Sequence, residues 1–223
     1  MNARSNTFEI KCAGHQINDV VSALFHSILF YRTTGKITYK NDSSYLVGSL
    51  GYEDVSCDFI DYSYVRCASP GIIHSLNSNI REFVEKLRES REKVGTITLE
   101  FYHRKKSAGV LGLFFDSQLV WEIWNLKIVC ADEKEARKTD FKLEEVLLDK
   151  LVTIIQIVNN SRCITPQMPD RANVDTLFDI TFDDVQPYLH RIYHRIGDGP
   201  NATTNQGTDD LGLKKFIKDA LTL

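Results

Sequence analysis

The sequence predicts an α+β fold. Three segments carry apolar residues at the i, i+3, i+4, i+7 spacing of a helix, several others alternate apolar and polar with period two, and no repeat or Pro/Gly-rich linker divides them. Helices interspersed with strands point to an antiparallel sheet packed by about three long helices.

Ile17, Val20, Val21, Leu24, Phe25 and Ile28 form the first helical stripe, with Gly35 as its stop. Ser69-Pro70 opens the second helix, because proline's missing N–H costs nothing at the first helical position; its stripe is Ile73, Leu76, Ile80, Phe83, Val84 and Leu87. The third helix, within about 133–160, begins polar and then carries two apolar rows. One is Leu143, Leu147, Leu151, Ile154 and Val158; beside it run Leu148, Val152 and Ile155. So wide an apolar arc needs cover on more than one side, by the domain's own sheet together with a further chain segment or a partner, which makes the first row a candidate dimer interface.

Strand patterns lie between the helices. Lys36–Lys40 and Tyr45–Gly48 flank a polar turn and read as a hairpin, and Cys57–Cys67 is rich in aromatic and β-branched residues. In Thr96–Tyr102, Ile97, Leu99 and Phe101 share a face. In Val120–Cys130, Trp124, Leu126 and Ile128 oppose Trp121, Ile123 and Val129, a pattern for a strand covered on both sides. Tyr188–Ile196 is again strand-like, the small polar residues of Gly197–Asp210 read as a mobile loop, and the tail Leu213–Leu221 suits a short helix or strand.

Charge and composition exclude several classes. Lys+Arg 27 against Asp+Glu 30 leaves a net charge of −3, which argues against a nucleic-acid binder working through a basic surface. With 43% hydrophobic residues and no N-terminal apolar h-region, the chain reads as a cytoplasmic globular protein without a transmembrane segment, or one that docks on membranes from the cytosol. Its five cysteines are an odd number with no C-x-x-C pair and read as reduced thiols, so the three N-x-S/T sequons are chance matches.

Catalytic and metal signatures are weak, and no cofactor is expected. His190 and His194 are four apart but lack the Glu of H-E-x-x-H and fall in an alternating strand. Asp58 and Asp61, three apart on a strand, would face opposite ways. Cys163, in a loop before Pro166 and Pro169, is the one candidate for a thiol enzyme, an alternative with no His or Asp tied to it by spacing. A stronger signal lies between the strands ending at Tyr102 and starting at Leu119. There a basic run, His103-Arg104-Lys105-Lys106, precedes a glycine-punctuated loop, about 107–117, carrying Val110, Leu111, Leu113, Phe114 and Phe115. Those five residues either fold back as a lid or project as an apolar finger, the kind of aromatic anchor that dominates binding energy at interfaces.

Six segments occur together in order: Arg32–Lys36, Cys57–Arg66, Leu99–Ser107, Trp121-Glu122-Ile123-Trp124, Asp183–Leu189 and Phe216–Leu221. In that order and spacing, over nearly the whole chain, they resemble the autophagy-related protein 101 family. The resemblance implies a single HORMA domain over residues 1–223, with a C-terminal safety-belt-like region where Gly197–Asp210 and the tail fall. It also implies a non-catalytic adaptor of the kinase complex that initiates autophagy. Such an adaptor pairs with and stabilises the HORMA domain of autophagy-related protein 13, recruits downstream factors and gathers at preautophagosomal structures. The doubly apolar third helix falls where HORMA domains commonly pair, and an exposed face there would also allow a homodimer in the partner's absence. The family's finger carries Trp-Pro-Phe after the Lys-Lys-Ser run. Here Gly and Leu stand where Trp-Pro would lie, and Phe114 lines up with the family's aromatic. A peptide-clasping, conformation-switching HORMA domain is the alternative within the same fold.

Overall fold

In the computed structural model the described residues are 3–42, 44–108, 114–131, 133–160, 165–198 and 203–205. They form an α+β architecture around a mixed five-stranded sheet. The chain opens with β1 (Arg4–Ala13), α1 (Ile17–Tyr31), β2 (Thr33–Gly35), β3 (Ile37–Asn41), β4 (Ser44–Val47), β5 (Tyr52–Ser56) and β6 (Ser63–Cys67). Next come α2 (Pro70–Glu89), β7 (Val94–Ala108), β8 (Phe114–Ala131), α3 (Glu133–Asn159) and a short 3-10 turn (Arg171–Thr176). β9 (Val185–Pro187), β10 (His190–Ile196) and β11 (Thr203–Asn205) complete it. No helix among the described residues is long and apolar enough to cross a membrane.

The main sheet runs β1-β8-β7-β10-β11, and three two-stranded ribbons pair β2 with β9, β3 with β4 and β5 with β6. All neighbours in the main sheet are antiparallel except β1, which lies parallel to β8. An all-antiparallel sheet was the expectation. β1 departs from it because it meets β8 only across the long intervening chain, whereas β7 and β8 are consecutive strands paired antiparallel.

One face of this sheet is the core floor. Ile97, Leu99 and Phe101 of β7 and Trp124, Leu126 and Ile128 of β8 are all buried, joined by Ile192 and Ile196 of β10. Ile123 and Val129 on the other face are half-buried, so among the described residues the second face of β8 is covered only in part. Trp121 is moved off that outer set by a bulge opposite Phe101 and Tyr102, and its ring lies 5.5 Å from that of Phe101.

Helix α1 is buried almost all round, with α2 and α3 beside it, β6 against it and β8 near it. It stops at Arg32, whose N–H reaches the carbonyls of Ile28 and Leu29, and not at Gly35, which belongs to β2. A Cβ on Gly35 would collide with the Gly48 carbonyl, so glycine is required where β2 leads into the β3–β4 ribbon. In α2 the buried stripe starts at Ile72; Ile73, the expected member, is half-buried, because Leu76 and Ile80 follow Ile72 at four-residue steps. Cys57–Tyr62 is a loop joining β5 to β6, not strand, so Asp58 and Asp61 do not stand on opposite faces of one.

Candidate functional site

The sequence singles out two regions, the third helix and the apolar loop. In α3 the first row faces the protein's own interior: Leu143, Leu147 and Ile154 are buried, while Leu151 and Val158 are partly so. This row packs on α1 and β1. The neighbouring row is open, with Leu148 54% and Val152 44% exposed. Two apolar rows at helical spacing look alike in a sequence. The positions of α1 and β1 decide which is core.

Leu151 and Ile155 lead from α3 into an apolar groove of about 370 Å³, closed by Phe30 and Tyr31 of α1, Tyr52 of β5 and Val65 of β6. Ser27 also lines it, but its hydroxyl donates to the Ala23 carbonyl at 2.7 Å and needs no further partner. Tyr52 is 66% exposed and Tyr31 37%. With Leu148 and Val152, one helical turn from Leu151 and Ile155, they extend the groove into an apolar surface built from three elements. Large aromatic side chains with polar tips, exposed beside aliphatic ones, suit a surface that a protein partner covers.

The groove's α1 wall is held by a buried ion pair. Arg32 Nε donates to Glu122 Oε2 at 2.6 Å and Nη2 donates to Oε1 at 2.8 Å, with both side chains almost fully enclosed. The guanidinium also lies 5.6 Å above the Trp121 ring, and the Arg32 carbonyl accepts the Tyr188 N–H. Arg32 follows Tyr31 directly, so this clamp between α1, β8 and the segment before β10 sets where Tyr31 stands. Its members are 90 residues apart, and no local pattern pairs them.

At the N-terminal end of α1 another exposed aromatic is held by hydrogen bonds to its backbone. Phe59 is 56% exposed, yet its N–H donates to Asp19 Oδ2 at 2.7 Å and its carbonyl accepts from Gln16 Nε2. Burial pushes the Asp19 carboxyl above its usual range, against the opposing pull of the Phe59 N–H. The 15 residues of α1 separate this end from the groove by roughly 20 Å at 1.5 Å per residue.

Both ends of the expected loop, about 107–117, are strand: β7 continues to Ala108 and β8 begins at Phe114. His103–Lys106 therefore lies on a strand, paired with Leu119 to Asp116, and not in the loop. Phe114 and Phe115 open β8 opposite Ala108 and Ser107, while Val110, Leu111 and Leu113 lie outside the described residues. So do Cys163 and the tail from 206 onward; within Gly197–Asp210, residues 203–205 form β11 on β10.

His190 and His194 share the inward face of β10, opposite Phe101 and Ile97. Burial lowers the pKa of both, and no group of His, Cys, Asp and Glu among the described residues is arranged to hold a metal ion.

Fold and site together define an α+β chain with an open apolar groove between two helices and a strand ribbon. The family to which it belongs follows from comparison with known proteins. Residues 9–172 match the family model of Autophagy-related protein 101. Autophagy-related protein 101 of Xenopus tropicalis and that of Homo sapiens are each 36% identical over 229 aligned positions covering the whole of both chains. The Arabidopsis thaliana protein of the same name is 22% identical over 73% of this chain and 79% of its own. The chain belongs to the autophagy-related protein 101 family, and its role is in autophagy.

Proposed function

We propose that the chain is a non-catalytic adaptor in autophagosome formation, a HORMA domain that pairs through the α1–α3 groove with the HORMA domain of autophagy-related protein 13 and stabilises it. The observation that carries this reading is the apolar surface of Tyr31, Tyr52, Leu148 and Val152 around the groove. Tyrosines at the centre of such a surface are the residue type that dominates interface energies. Through the pairing the chain joins the initiation kinase complex and is carried from the cytoplasm to preautophagosomal structures. The stretch between the β7 and β8 strands, with Val110, Leu111 and Leu113, together with Phe114 and Phe115 at the start of β8, acts as the apolar finger that recruits downstream factors. In this reading the interface row of α3 is Leu148 and Val152, and Leu143, Leu147 and Ile154 support it from inside.

Co-purification with the HORMA domain of autophagy-related protein 13 tests the pairing. Val152→Asp and Tyr52→Ala are expected to leave the fold intact and weaken binding, Tyr52→Ala by about 30-fold for a loss near 2 kcal/mol. Undiminished binding by both variants would refute the groove as the pairing face. The finger is tested separately by Phe114→Ala with Phe115→Ala, which should reduce autophagosome formation while leaving the pairing unchanged.

A further inference from the structure

Strand β1 is the outermost strand of the main sheet, hydrogen-bonded there to β8 alone. Near its C-terminal end Cys12 stands directly opposite Cys130 in the parallel register. Register partners on adjacent strands direct their side chains to the same face. A strand spacing of about 4.8 Å also falls within the roughly 4.4–6.8 Å between Cα atoms that a disulfide bridges. The Cys130 sulfur reaches towards the end of β1, since a Cβ built on Gly14 would lie 3.7 Å from it.

Both thiols are free, and their surroundings differ. Cys12 is 1% exposed; burial first, and the neighbouring Cys130 second, push its thiol up to about 12. Cys130 is half-buried, which leaves it more exposed than Cys12.

We propose that Cys12 and Cys130 form an oxidisable pair, which a hydroperoxide converts into a disulfide fastening β1 to β8. Cys130 reacts first. Its thiolate sulfur attacks one peroxide oxygen, the O–O bond breaks, and the departing hydroxide takes up the proton that the thiol released, leaving a sulfenic acid and water. The Cys12 sulfur then attacks the Cys130 sulfur, the S–O bond breaks, and the leaving hydroxide departs as water with the Cys12 proton. Two thiols and one hydrogen peroxide thus give one disulfide and two waters, a two-electron oxidation of the pair. Burial makes Cys12 a poor target for an oxidant in solution but not for a sulfur held on the adjacent strand. A thiol reductant returns the pair to its resting form, as expected of a transient disulfide in a reducing compartment.

The test treats the purified full chain with hydrogen peroxide, blocks the remaining thiols and maps the peptides without reduction. The expected product is a Cys12–Cys130-linked peptide lighter by two hydrogens, reversed by dithiothreitol and missing from Cys130→Ser. In Cys12→Ala, once a melting curve shows it folded, Cys130 sulfenic acid should accumulate and be trapped by dimedone. Amide exchange in β1 should slow on oxidation of the wild type alone. Oxidation of Cys130 to sulfinic acid without a linked peptide, a link through Cys57, Cys67 or Cys163 instead, or no reaction would each overturn the proposal. Cys130→Ser leaves the core cysteine in place, so that arm holds even if Cys12→Ala does not fold.

Discussion

The Arg32–Glu122 pair offers the sharpest energetic prediction. Both side chains are at most 5% exposed and bond through two contacts of 2.6 and 2.8 Å, so neither charge has water to fall back on. Removing one partner of such a pair leaves the other charge buried without compensation, at a cost of about 3–5 kcal/mol. For a domain of this size each kcal/mol lowers the melting temperature by about 2–4 °C. Arg32→Met should therefore lower it by roughly 6–20 °C. Glu122→Gln keeps the shape and one acceptor and should fall at the lower end of that range. Replacing both, as Arg32→Met with Glu122→Leu, should recover much of the loss, because no unpaired charge remains. The assay is thermal unfolding followed by circular dichroism, completed as a double-mutant cycle. A single-variant shift below about 2 °C, or strict additivity of the two losses, would refute the assignment of a coupled buried pair.

Other expectations concern the helices, a glycine and pH. Leu147→Ala, in the enclosed row of α3, should cost about 2–5 kcal/mol in urea unfolding, whereas Leu148→Ala should stay within about 0.5 kcal/mol. Gly35→Ala should destabilise by about 1–3 kcal/mol on the same assay, since the new methyl meets the Gly48 backbone and not a movable side chain. His26 is 1% exposed, with its Nε2 3.0 Å from Asn77 Oδ1, and burial lowers its pKa to about 4 against an ordinary 6.5. The unfolded chain then binds the proton first, so stability present above pH 6.5 is lost as pH falls towards 4, by about 3 kcal/mol from this residue. His190 and His194, whose pKa values are also lowered by burial, act in the same direction. The urea midpoint of His26→Leu should therefore depend less steeply on pH over that window than that of the wild type.

Much of the architecture is legible in the sequence because its signals are local. The stripes of α1 and α2, the Ser69-Pro70 start and the alternation through Ile97, Leu99 and Phe101 each depend on residues within a few positions of one another. Features decided at a distance are not legible in this way. Residues 4–13 become a parallel edge strand only through β8, more than a hundred positions away, although Phe8, Ile10 and Cys12 do alternate with Thr7, Glu9 and Lys11. The bulge that turns Trp121 inward depends on register with β7. The candidate site divides along the same line. Periodicity finds the two apolar rows of α3, but which row is free depends on where α1 and β1 lie. The tyrosines that complete the groove come from α1 and β5, and neither carries a mark of exposure in its neighbours.

Amide hydrogen exchange of the chain, alone and with the HORMA domain of autophagy-related protein 13, tests the adaptor account most directly. The account predicts new protection in the last turn of α1, in β5 around Tyr52 and along α3 from Leu148 to Ile155, with the Phe59 loop unchanged. Binding without added protection in those three segments would contradict it.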